Sequence, residues 1–90
     1  MPRYAVTGPL GPEQIDYDWL VAPNPAHALY QLHAEALGYD RVRLVDDALA
    51  FADPAEQAMC AGRWKVVELA QNGPRRSVEI TIVPPVAAAA

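Results

Sequence analysis

Cysteine is nearly missing from this sequence. Cys60 stands alone among 90 residues, so no disulfide can form within the chain. A fold without staples suits a reducing compartment, and a cytoplasmic location is the expectation. Histidine is scarce as well: His27 and His33 are the two, six residues apart. Six helical residues rotate by about 600°, which leaves the two rings about 120° apart and unable to share one ion. There is no HExxH, no CxxC and no EF-hand loop. No metal and no cofactor are therefore expected.

Nucleophiles are few. Ser77, Thr7 and Thr81 are the only hydroxyl candidates besides the tyrosines, and none sits in a glycine-flanked elbow. Cys60, between Met59 and Ala61, reads as a buried, inert thiol. The stretch GPLGP at residues 8–12 has two prolines, which lack the N–H groups that a phosphate loop needs. The expectation is that the protein is not an enzyme. No apolar run approaches the roughly 20 residues of a membrane span. No basic segment followed by an apolar one marks a secretory signal. Cations are outnumbered, with 7 Lys and Arg against 11 Asp and Glu, a net charge of −4 and a pI near 4.9. Direct binding to nucleic acid is disfavoured, because that affinity comes from neutralising phosphates.

What is present is one small domain, expected over residues 1–86, with residues 87–90 a disordered or vector-derived alanine tail. The hydrophobic fraction of 52% is enough for a core, although much of it is alanine. Phe51, Trp19, Trp64 and the tyrosines are the large core candidates.

Local signals divide the chain. Residues 3–7 alternate as a strand that GPLGP breaks. Residues 14–22 form a second strand in which Ile15, Tyr17, Trp19 and Val21 share one face, expected to seat on the core. Asn24 caps a helix, Pro25 fits its first position and Gly38 ends it. Leu29, Leu32, Ala36 and Leu37 make its apolar stripe, with Tyr30 or His33 at the margin. Residues 41–45 and 48–52 are strands around an Asp46-Asp47 turn. Asp53, Pro54 and Glu56 open a short second helix in the manner of a capping box, and Gly62 closes it. Residues 63–71 form a strand whose alternation slips at Val66-Val67, the mark of a bulge or of two buried faces. Asn72-Gly73-Pro74 is a turn. Residues 77–83 are a last strand with Val78, Ile80 and Ile82 inward. The predicted class is α+β: a mostly antiparallel sheet in the order β-β-α-β-β-α-β-β, with one main helix on one face.

Charge is unevenly placed. Residues 4–40 hold five acids (Glu13, Asp16, Asp18, Glu35, Asp40) and no Lys or Arg. Residues 44–62 hold four more (Asp46, Asp47, Asp53, Glu56), again without a base. The strand spacing puts Asp16 and Asp18 on one side, about 6–7 Å apart, a separation that glycosidases also use. Any solvated strand face has the same spacing. A solvated outer face, or cross-strand pairing with Arg41 and Arg43, is the structural reading of these two acids. The functional reading is an acidic recognition face assembled from Glu13, Asp16, Asp18, Asp46, Asp47, Asp53 and Glu56, which suits a protein partner with a basic surface.

In its size, its single α+β domain, the acid-only stretch at residues 4–40 and its lack of a catalytic frame, the chain resembles the anti-CRISPR proteins of phages and mobile elements. The resemblance spans the whole chain and implies stoichiometric inhibition of a nucleic-acid-binding complex by occupying its basic surface. It carries over no catalytic residue. The alternative is an accessory or regulatory subunit that forms a homodimer or joins an enzyme complex through a sheet edge.

Overall fold

The computed structural model of the chain describes residues 2–69 and 76–86. The expected turn at Asn72-Gly73-Pro74, the last two residues of the strand expected over residues 63–71, and the tail at residues 87–90 lie outside them. The architecture is α+β. Strands β1 (Arg3–Leu10) and β2 (Glu13–Val21) precede helix α1 (Pro25–Leu37). Strands β3 (Val42–Val45) and β4 (Ala48–Phe51) precede helix α2 (Pro54–Cys60). Strands β5 (Gly62–Leu69) and β6 (Ser77–Ile82) complete the order. Four strands form an antiparallel sheet in the order β2-β1-β5-β6, and β3-β4 is a separate two-stranded ribbon.

Helix α1 begins and ends where local chemistry dictates. The Asn24 side chain accepts the His27 N–H at 2.8 Å, and Pro25 costs nothing in the first turn. Gly38, at φ 124°, ends the helix with its N–H on the Ala34 carbonyl. The face that packs on the sheet is Ala28, Leu29, Leu32 and His33. Ala36, expected in the stripe, is exposed, because the stripe drifts one position earlier and includes His33.

The inner face of the sheet carries Tyr4, Val6, Leu20, Trp64, Val66 and Ile82, all buried. Trp64 is its centre, fully buried, with its indole N–H donating to the Cys60 carbonyl at 2.7 Å. Its ring lies against Gly8, where an added Cβ would run into the indole. GPLGP does not break β1 after Thr7, because β2 goes on pairing with it at Gly8↔Ile15, Pro9↔Gln14 and Leu10↔Glu13. The strand continues through Gly8, Pro9 and Leu10, and the chain turns only at Gly11-Pro12. The β1–β5 ladder stops at Thr7, so Pro9 has no strand to donate to on that side. Gly11 is at φ 63°, and its N–H ties the turn to the Met59 carbonyl of α2.

The sequence expectation for β2 is corrected by a bulge. Tyr4 pairs with Leu20, but Ala5 pairs with Asp18, which leaves Trp19 without a partner. The extra residue resets the alternation. Leu20, not Trp19 or Val21, reaches the core, and Trp19 is 63% exposed on the outer face. Tyr17 shares the inner side with Val6 yet stays 45% exposed, because β2 is an edge strand. In contrast β5 has continuous register on both sides, so Val66-Val67 marks no bulge. Trp64 and Val66 face the core, and Val67 belongs to the outer face.

Candidate functional site

The groups with chemical potential are dispersed or disarmed. Cys60 is fully buried, and burial followed by the charge of Glu56 pushes its thiol up to about 11. His33 is 3% exposed and its Nδ1 donates to the Leu29 carbonyl at 2.8 Å. Its Nε2 has no partner, and Trp64 and Phe51 crowd the ring edge-on, with centroids 4.6 and 5.9 Å away. Burial outweighs the Leu29 bond and lowers the affinity of this imidazole for a proton. His27 packs on Tyr30 one turn away on the same helix. Tyr4, buried on β1, is pushed above its ordinary value by desolvation and then by Glu68. Among the described residues no three His, Cys, Asp or Glu side chains converge as a metal site. No helix among them is long and apolar enough to cross a membrane.

The seven acids expected to form one face stand in separate places. Asp16 and Asp18 lie on the outer face of the sheet, opposite Thr7 and Ala5. The Thr7 hydroxyl donates to Asp16 at 3.1 Å, and Asp18 has no cationic partner among the described residues. Glu13 opens β2 opposite Leu10. Asp46 and Asp47 form the two-residue β3–β4 turn at φ 50° and 61°, conformations that Asp tolerates. Asp53 caps α2 by accepting the Ala55 N–H at 2.9 Å. Glu56 does not close a capping box. It turns instead to Arg41, 2.9 Å away, and Asp53 joins the same guanidinium at 3.4 Å. Arg41 thus ties β3 to α2, and its partners are these two acids, not Asp16 or Asp18.

Three cations, Arg3, Arg63 and Lys65, share the outer sheet face with Asp16, Asp18 and Glu79. Arg43 is on the β3–β4 ribbon and Arg63 and Lys65 are on the outer face of β5. Arg75 lies outside the described residues.

What the fold does bring together is a sheet face that no helix among the described residues covers. Its cross-strand rows read Asp16, Thr7, Lys65, Glu79 and Asp18, Ala5, Val67, Ser77. A third row holds Val21, Arg3 and Leu69. The indole of Trp19 stacks with the Arg3 guanidinium, 4.4 Å from the ring centroid. Such a contact at an exposed site is worth about 0.5–1 kcal/mol and favours this placement of the ring. Sequence reasoning placed Trp19 in the core and so missed it as a surface residue. No local signal marks the bulge. No protein-family model matches the chain, and no curated protein or solved structure is similar to it.

Proposed function

We propose that this chain is a non-enzymatic protein-binding domain that docks its partner on the open face of the four-stranded sheet. The observation that carries this reading is Trp19, a largely exposed indole stacked with Arg3 on a face that no helix among the described residues covers. Large exposed aromatics are preferred anchors at protein interfaces. Asp16 and Asp18 lie along the same strand, where carboxylates steer and select a partner that presents Lys or Arg. The anti-CRISPR resemblance implies a nucleic-acid-handling complex as that partner, inhibited by occupation of its basic surface. The test is capture from the native host, followed by calorimetry at two salt concentrations. Trp19→Ala and the pair Asp16→Asn with Asp18→Asn should each keep the fold and weaken binding by about tenfold. Lysine at both positions should be worse, since it adds repulsion. Unchanged affinity of the lysine variant at low salt would remove this face from the interface.

A second reading, self-association, has its own support. Thr7 lies between Asp16 and Lys65 in one row. A second copy turned over about β1 therefore sets Asp16 of each copy against Lys65 of the other. The variants Asp16→Lys and Lys65→Asp would each stay monomeric alone and associate when mixed, as read by sedimentation.

A further inference from the structure

Strand β6 is the second edge of the sheet. Among the described residues it pairs with β5 alone, from Gly62↔Ile82 to Val67↔Ser77. The two edges differ. The bulge at Trp19 interrupts β2, which spoils it as a template for another strand. β6 has no bulge, no proline and no lysine within Ser77–Ile82, and Glu79 on the outer face is its one charged side chain.

A groove follows β6 on its inner side. Three adjoining hollows of about 310 to 330 Å³ each make it up, and neighbouring hollows share Val78 or Ile80 as floor. Six residues of strand give it a length of about 20 Å. The far wall is the first turn of α1 at Asn24 and Pro25, followed by the β3–β4 turn at Asp47. Val78 is 40% exposed there, although Trp64 and Val66 beside it on the same sheet face are buried. Asp47 lines two of the three hollows and has no salt-bridge partner among the described residues.

We infer that β6 accepts an extended segment of a partner protein as a fifth strand, with apolar residues on Val78 and Ile80 and a Lys or Arg against Asp47. The unpaired β6 backbone supplies hydrogen bonds that any sequence can satisfy, and the pockets supply selection. Valine or isoleucine side chains at alternate positions of the incoming strand continue the inner face of the sheet. A lysine between the α1 and β3 walls meets the Asp47 carboxylate, whose backbone is held by the tight turn. This site is on the opposite side of the sheet from Trp19, and at the opposite edge, so it stands or falls independently of the face proposed above.

The probe is a fluorescent peptide of about ten residues, alternating valine and threonine around one central lysine. Its companions carry glutamate for that lysine, or N-methyl groups on one or the other set of alternate amides. Anisotropy should show binding of the parent peptide, and the glutamate version should be weaker by about fivefold or more. One of the two N-methyl versions should lose at least about tenfold, because only one set of amides faces β6. Amide shifts should concentrate on Ser77–Ile82. Val78→Glu should abolish binding, and Asp47→Asn, which suits the same positive φ, should remove the preference for lysine. Trp19→Ala should leave every one of these results unchanged. No binding of the parent peptide at ~1 mM, or equal loss in both N-methyl versions, overturns the inference. A β6-to-β6 dimer in sedimentation that Val78→Glu dissolves would also overturn it, in favour of a second copy.

Discussion

Acidification should destabilise this protein through His33. The imidazole is 3% exposed, its Nδ1 is committed to Leu29, and its Nε2 faces the core with no acceptor. A second proton would have to sit on that nitrogen beside Trp64 and Phe51. Desolvation is the main influence on the ring and no carboxylate offsets it, so its folded-state pKa lies below the ordinary 6.5. The unfolded chain binds the proton first. Above about pH 6.5 the ring is neutral in both states and contributes no slope. As pH falls through that value the unfolded state gains protons and stability drops, until the folded value is reached. The slope in this window approaches about 1.4 kcal/mol per pH unit for one group. For a domain of this size each kcal/mol lowers Tm by about 4–8 °C. Urea unfolding followed by circular dichroism, from about pH 7.5 to about pH 5, measures it directly. His33→Leu removes the titration and should flatten the slope in that window, whatever it does to absolute stability. Equal slopes in wild type and His33→Leu would refute the reasoning, as would a proton titration of His33 by NMR with a midpoint at or above 6.5.

Other outcomes follow from the packing. Gly8→Ala should cost about 1–3 kcal/mol in urea titrations, because its methyl group meets the Trp64 indole; wild-type stability would show that the ring has room to move. Leu29→Ala, at a fully buried site under the sheet, should cost about 2–5 kcal/mol, and a loss below that range would place α1 less firmly. Iodide should quench one tryptophan and spare the other, and in Trp19→Ala the remaining emission from Trp64 should resist quenching, with stability lowered by at most about 1 kcal/mol. Cys60 should ignore a disulfide reagent in the native state and react on unfolding. Its raised pKa contributes stability that is complete below the ordinary value of 9.0 and is lost as pH rises toward about 11. Rapid native modification near neutral pH would contradict its burial.

Residues that act on their immediate neighbours were legible in the sequence. Asn24, Pro25 and Gly38 set the limits of α1 through contacts within a turn or two. Asp46 and Asp47 announced a hairpin because the turn itself requires residues that tolerate positive φ. The alternation of Val78, Ile80 and Ile82 gave the correct inner side of β6. Tertiary pairing decided the rest. Trp19 faces solvent because Tyr4 and Ala5, about fifteen residues away, pair on either side of it, and a bulge has no signature in the strand that carries it. β1 runs on through Gly8 because β2 pairs with it there, and position 8 has no room for a side chain because Trp64, from a distant strand, fills the space. Glu56 left its cap for Arg41 because folding placed a guanidinium 2.9 Å away. Asp16 and Asp18 stayed in solvent while the other acids went elsewhere, since side chains are shared out between faces by strand register and packing. Those depend on contacts between residues far apart in the chain, which composition and periodicity do not encode.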